Sequence, residues 1–403
     1  MFDFRTVQSA CFLLITVLLV CNSCIARPKY VKSFHKHFSD TLIDVGIRKN
    51  AVFVVNRVID INNRSIKIPE NVSLKFTKDG LLCNGRIIGC NTKLIGNNKG
   101  VFRNVEICGS WDVPLIKSNL FQNIDSMNVL KNVFALTSSS IQNKIIIEQG
   151  IYKVSVTHFC KSALTILGKT EIVLNGIIQL VPNDLKSYNI INIVGSDVYL
   201  HGKGSIIGDK QYHLGTEGEW GHGVNVGGYG NTRIHDISIR NCWGDCVYVR
   251  SRGKVCIDNC KIDNGRRQGI SVTKADSVYI SNCLITNVSG KSPQYAIDIE
   301  PNKKDTIKYV CINKCVAKNC KGGFVASGRA KESDVRSIVV DNCHIEGHRF
   351  YPFAFNTLNS VTITNCSAQN TRLNVKIKNV KKFRESGNMI NGVKKTFFQK
   401  NKL

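Results

Sequence analysis

The sequence predicts an all-β solenoid in which short parallel strands coil three to a turn. Three observations predict it. A four-residue phrase recurs six times, as Ile239-Arg240-Asn241-Cys242, Ile257-Asp258-Asn259-Cys260, Ile280-Ser281-Asn282-Cys283, Ile312-Asn313-Lys314-Cys315, Val340-Asp341-Asn342-Cys343 and Ile363-Thr364-Asn365-Cys366, with cysteine gaps of 18, 23, 32, 28 and 23 residues. Apolar residues alternate just before each turn, as at Val255 and Ile257, Val278 and Ile280, and Val361 and Ile363, which is the period of a strand. A further set of strand-like segments keeps step with the phrase. An irregular repeat of this length, each unit a few short strands, stacks its neighbours into one continuous core.

Each coil decodes in order. One strand runs up to the asparagine, which turns the chain and whose amide can bond its copies above and below. A second, short strand begins at the cysteine, as in Cys260-Lys261-Ile262. After a Gly/Asn-rich turn comes the third strand: Gly223–Val226, Cys246–Val249, Gly269–Val272, Ala296–Ile299, Gly323–Ala326, Pro352–Phe355 and Asn374–Ile377, at steps of 22 to 29 residues. The cysteines read as an inward stack of small apolar groups. Neighbours about 4.8 Å apart would also be close enough to bridge.

The remaining segments set the boundaries. Residues 1–26 read as a signal peptide: Arg5, an apolar run from Ala10 to Cys21 too short to span a bilayer, and small residues before a cleavage point after Ala26. Lipid anchoring through Cys24 is the alternative processing. Nothing later reaches transmembrane length, so the mature chain is expected to be exported. Residues 27–125 read as a β-rich cap with looser coils, residues 126–385 as the β-helix and residues 386–403 as a tail. The net charge of +26 favours a polyanionic partner. For an exported chain that partner is an acidic polysaccharide or oligosaccharide; no nucleic-acid-binding fingerprint is present. Assembly is expected as a monomer or as a β-helix homo-oligomer. Removing Cys11, Cys21 and Cys24 leaves fourteen cysteines, none in a paired metal-binding spacing.

The coil pattern over residues 130–380 resembles the right-handed parallel β-helix of the pectin-lyase-like superfamily, and Asn143 to Val156 resembles that superfamily's first coil. Residues 46–120 resemble the N-terminal β-rich cap of exported Bacteroidetes β-helix proteins. The resemblance implies a substrate groove along the third-strand sheet. Outward residues there are Asn225, Tyr248, Ser271 and Asp298, with His222, Asp245 and Gln268 where the strands begin and Glu300 two residues past Asp298.

In layout these segments also resemble the polygalacturonase-like glycoside hydrolases. Trp220-Gly221-His222-Gly223 falls where that family has Asn-Thr-Asp, and Gly244-Asp245-Cys246 where it has paired aspartates followed by Cys. Arg267-Gln268-Gly269-Ile270-Ser271-Val272 falls at its Gly-His-Gly-Ile-Ser-Ile, and Ala296-Ile297-Asp298-Ile299-Glu300 at its Arg-Ile-Lys. Only Asp245 carries over as a residue match. One aspartate stands in place of three, Gln268 replaces a histidine, and an acid pair replaces a basic pair.

Three functions fit. A glycoside hydrolase acting on an acidic or sulfated polysaccharide would use Asp245 with Asp298 or Glu300. Asp245 and Asp298 lie two coils apart, roughly 9–10 Å, and Asp298 and Glu300 roughly 6–7 Å. Like-charge crowding would make one of the second pair an acid. Arg266 and Arg267 offer a fork for a substrate anion, Tyr248, Trp243 and Trp220 offer faces for sugar stacking, and Asn225 and Gln268 add polar contacts. A pectate-lyase-like polysaccharide lyase would instead use Asp245, Asp298 and Glu300 as ligands for Ca²⁺, with Arg267 or His222 as base. The hydrolase needs no cofactor. The third function is a surface protein that binds glycans without catalysis. Each candidate also has a plain structural role: Asp245 follows a glycine and can cap a turn, Asp298 and Glu300 can be solvated acids, and His222 between glycines can be a turn residue. Their convergence on adjacent coils of one sheet favours a site.

Overall fold

The computed structural model describes residues 49–400, apart from 97–98, 123–124, 139, 329–333, 372 and 395–398. The signal peptide, its cleavage point and Cys24 lie outside the described residues. Parallel strand pairing runs through the described chain, with Met389–Ile390 and Val393–Lys394 pairing antiparallel.

The first strands, Val52–Val55, Val58–Lys67, Ser73–Phe76, Leu81–Ile95 and Phe102–Asp112, form one five-stranded parallel sheet. Its turns carry an asparagine ladder outside the repeated phrase. Asn71 donates to Asn50 at 3.1 Å and Asn91 to Asn71 at 2.6 Å. A helix, Ser126–Ala135, follows, where the sequence reading began the β-helix. Asp125 caps it through the Met127 amide, and Val129, Leu130, Val133 and Leu136 recur at helical spacing as its buried stripe. Its Asn132 accepts from the Ile107 amide at 2.9 Å and donates to the Val105 carbonyl at 2.7 Å, satisfying two backbone groups of the first sheet.

From Asn143 onward the chain coils with three faces. One face contains the strands that precede the asparagine turn, such as Arg252–Asp258 and Thr306–Asn313. The second is a sheet of eleven strands, most three to four residues long. The third holds Trp220–Val226, Val247–Arg250, Tyr295–Ile299 and Gly322–Ser327, and the long strands Ile270–Ser281, Phe353–Thr364 and Lys376–Ser386 run through the corner from it to the first face. The short face runs on through Met389–Ile390, past the expected end of the helix at 385.

Five of the six phrases stack in one register; the first does not. Ile239 pairs with Ile262, not with Ile257. Asn241 therefore belongs with Asn264, Asn287 and Asn319 at the turn after the short strand, and Asp236 is the true neighbour of Asn259. The two turns share a phrase because they pose the same problem. Each needs a residue in the left-handed region, and φ is 61° at Asp236, 48° at Asn259 and 54° at Asn282 in one ladder, and 58° at Asn241, 55° at Asn264 and 58° at Asn287 in the other. Asparagine tolerates that conformation best among non-glycine residues. Its amide then bonds the coil below: Asn259 to Asp236 at 2.6 Å, Asn282 to Asp258 at 2.8 Å, Asn264 to Asn241 at 2.8 Å.

All fourteen described cysteines are free. Cys260, Cys283, Cys315, Cys343 and Cys366 are buried and stack one per coil beside the isoleucine and valine columns. Their thiols donate to carbonyls, as Cys283 does to Ser281 at 3.2 Å.

Candidate active site

The site lies on the third face, and strand register builds it. Asn225 pairs with Tyr248, Tyr248 with Ser271 and Ser271 with Asp298, so the outward row expected from spacing is one line across four coils. The alternate residues Val224, Val247, Ile270 and Ile297 are fully buried and fix that facing. Where the strands begin, backbone bonds from Gly223 to Asp245, Cys246 to Gln268 and Gly269 to Tyr295 align His222, Asp245, Gln268 and Tyr295 in a second row.

Asp298 is 5 % exposed, and Gln268 is fully buried beside it. Gln268 Nε2 donates to Asp298 Oδ2 at 2.5 Å, while Gln268 Oε1 accepts from the Tyr295 amide at 2.8 Å. The Tyr295 bond settles which end of the Gln268 amide faces the carboxyl, because a backbone N–H needs the oxygen. Burial pushes the Asp298 carboxyl up to about 8, the charge of Glu300 pushes the same way, and Arg267 opposes them. Glu300 follows just past the end of the strand, with its amide bonded to the Val272 carbonyl.

Asp245 is wholly buried. Its Oδ2 accepts from Ser271 Oγ at 2.8 Å, and Arg267 Nη1 lies 3.3 and 3.2 Å from its two oxygens. Arg267 also reaches Glu219 at 3.6 Å. His222 Nδ1 accepts from the Asp245 amide at 3.3 Å, so the neutral ring carries its proton on Nε2. Burial holds this imidazole below the usual histidine range, with the Asp245 charge opposing it and the Arg267 charge assisting. Its ring stacks on Tyr248, with centroids 4.7 Å apart, and Tyr248 Oη accepts from Thr273 Oγ1. Asn225 Nδ2 donates to Asn192 at 2.7 Å.

The structure corrects two of the expected roles. Trp243 is no open platform: it is 8 % exposed, with His213 stacked on one face at 3.9 Å and the Arg266 guanidinium on its ring at 3.6 Å. Nor is the arginine pair a free fork. Arg266 Nη1 donates to the Gly218 carbonyl, and Arg267 serves Asp245 and Glu219. Both side chains are spent on holding residues 208–219 against the coil. Trp220, half exposed, is the open aromatic face.

That loop brings in residues the sequence reading missed. Asp209 accepts from Tyr188 Oη, from Asn183 Nδ2 at 2.9 Å and from His213 Nδ1 at 2.8 Å, fixing the His213–Trp243–Arg266 stack. Lys210 reaches Asn264 at 2.5 Å and the Ser289 carbonyl at 2.8 Å. No repeat spacing marks Asp209, His213 or Glu219, because they sit on an insertion. Tyr295 was findable, since it precedes Ala296 as Gln268 precedes Gly269.

The acids do not fit a Ca²⁺ cage. The oxygens of Asp245 face a guanidinium and a hydroxyl, and Asp298 Oδ2 faces an amide N–H. No three His, Cys, Asp or Glu side chains converge on a metal position among the described residues.

Residues 182–337 match the family model for a right handed beta helix region. No curated protein matches the chain in sequence. Among solved structures it is similar to the pectin methylesterase from Aspergillus niger, at 14 % identity and a TM-score of 0.35, over 70 % of this chain and 87 % of that one. It is also similar to the catalytic unit of a thermostable α-1,3-glucanase from Streptomyces thermodiastaticus, at 11 % identity and 0.34, over 84 % and 63 %. A third is endopolygalacturonase I from Stereum purpureum, at 12 % identity and 0.26, over 88 % and 94 %. The coiling, the strand register and the matched region together make this chain a right-handed parallel β-helix.

Proposed function

We propose that the chain is a glycoside hydrolase acting on an acidic or sulfated polysaccharide, with Asp298 as general acid. One observation carries the reading: a buried carboxyl, pushed up to about 8, stands in the outward row of the third face with one oxygen held by Gln268 Nε2. Gln268 leaves Oδ1 to carry the proton, and that is the state a leaving-group oxygen needs. Glu300 is the second carboxylate. Two residues of extended backbone correspond to roughly 6–7 Å between it and Asp298, at the short end of the spacing of inverting pairs. In the step, Glu300 takes a proton from water as the water oxygen attacks the anomeric carbon. Asp298 gives its proton to the departing glycosidic oxygen. The bond is cut with water added across it, and Asp298 is left ionised and Glu300 protonated.

Asp245 acts through others: fully buried, it fixes Ser271 and Arg267 beneath the groove. The same reading takes the chain to be exported, by way of residues 1–26.

The test is incubation with a panel of acidic polysaccharides, read for reducing ends and for ultraviolet absorbance together. The expected result is new reducing ends without the absorbance of an unsaturated uronide, and a loss of about 10²–10⁴-fold in Asp298→Asn. Absorbance that grows with cleavage would replace the hydrolase with a lyase. Glycan binding with no cleavage of any substrate would leave a binding protein.

A further inference from the structure

The outward row does not stop at Asp298. Asp298 pairs with Val325, Val325 with Ala354 and Ala354 with Lys376, so the line that passes through Asn225 and Asp298 reaches Lys376 three coils beyond the acid, at ~14 Å for coils ~4.8 Å apart. Two residues further along each strand, Ser327, Asn356 and Lys378 form a parallel row that reaches a second lysine, and Lys378 pairs in turn with Lys400. Lys376 is exposed and Lys378 half-buried, and neither has an ion-pair partner among the described residues.

The surface between the acid and these lysines has its own character. Val325 and the 7 % exposed Ala354 make a short, uncharged floor that offers no side-chain hydrogen bond. Aromatic rings flank it. The Tyr295 ring covers Gly322 so closely that a Cβ there would lie 2.3 Å from it. Phe350, 37 % exposed, lies 6.2 Å from the Tyr295 ring, and the Tyr351 ring carries Lys376 Nζ at 5.3 Å. On the other side of Asp298 the row is Ser271, Tyr248 and Asn225, all uncharged. Further along those strands Arg250 pairs with Lys274, and both are tied to Asp305. The cations at the C-terminal end of the groove, Lys376 and Lys378, have no such carboxylate among the described residues.

We infer that the C-terminal end of this face is a subsite for an anionic group of a polysaccharide chain, with Lys376 and Lys378 contacting its carboxylate or sulfate and the Val325–Ala354 floor and its aromatic flank holding the intervening sugars. The inference rests on reading this face as the substrate face, but not on which bond is cut. The anion recognised is set by charge, so the subsite discriminates charged from uncharged chains more than it discriminates one sugar from another.

Binding tests it without catalysis. Dextran sulfate, uncharged dextran of the same length and polygalacturonate are titrated calorimetrically into the wild type, Asp298→Asn, Lys376→Ala/Lys378→Ala and a control, Lys153→Ala/Lys261→Ala, which removes two exposed lysines from the short face. The expected result is tighter binding of at least one charged chain than of dextran. Losing both groove lysines should weaken it by about tenfold or more, as removal of two charge-assisted contacts requires, while the control binds as the wild type does. Which charged probe binds distinguishes a sulfate from a carboxylate ligand. Equal loss in the control, or no loss in Lys376→Ala/Lys378→Ala, overturns the inference. Because both groove residues are surface lysines, an unchanged melting temperature checks the fold, and Lys376→Glu/Lys378→Glu should deepen the loss. Full hydrolytic activity in Asp298→Asn would sink the catalytic reading and leave this one standing.

Discussion

At Asp298 burial and the neighbouring Glu300 act in the same direction, and the consequence extends from catalysis to stability. The folded carboxyl holds its proton up to about 8, against an ordinary value of 3.8. A group raised in the folded state contributes stability that is full below the unfolded value and is lost as pH rises through the folded one. The wild type should therefore lose stability relative to Asp298→Asn between about pH 4 and pH 8, and chemical denaturation of both proteins across that window measures it. A constant difference between them would mean that Asp298 does not titrate there. The Asp245–Arg267 pair makes a separate prediction. Arg267→Ala strands a fully buried carboxylate and should cost about 3 kcal/mol. Adding Asp245→Asn should restore part of that, a coupling that a double-mutant cycle reads directly. The candidate residues were legible in the sequence because strands alternate their faces and coils repeat. Their hydrogen bonds were not. Nothing in the spacing says that Arg267 turns inward to Asp245 or that Gln268 turns to Asp298, since both depend on which side chains a neighbouring coil brings within 3 Å.

Among the elements, the turns do most to set the register. Two ladders of left-handed residues bracket each short strand, and asparagine serves both the backbone angle and the bond to the next coil. Asn282→Ala keeps neither. It should cost about 1–2 kcal/mol for the left-handed backbone alone, plus the lost bond to Asp258, whereas Asn282→Gly should recover most of the backbone part. Thermal melts of the two variants compare them, and equal melting temperatures would show that the angle is not the cost. The phrase repeated in the sequence was a true reading of this device and a false reading of its register. Ile239-Arg240-Asn241-Cys242 spells the second turn in the vocabulary of the first, and only pairing of Ile239 with Ile262 separates them. The helix Ser126–Ala135 was hidden for a related reason: a ten-residue apolar segment between strand-rich regions reads as another strand until its 3.6-residue spacing is counted.

At the scale of the molecule, the stability of the described coils should not depend on covalent cross-links. The fourteen described cysteines are free, and Cys160 is the exposed one among them. A thiol reagent should find one fast-reacting site in the described region of the native protein and many more after denaturation, while reductant should leave the melting temperature unchanged; a downward shift would reveal disulfides that this core does not need. The net charge of +26 pointed to a polyanion from composition alone, but composition could not say where the charge meets the groove. The sequence by itself determined the period, the faces and the outward row, because strand alternation and coil length are local properties that leave a printed pattern. Tertiary structure alone decided that Arg266, Arg267 and Trp243 are committed to packing and that residues 208–219 lie across the beginning of the site strands. Those facts are contacts between coils dozens of residues apart, and a coil's length fixes its own step but not what its insertion will cover.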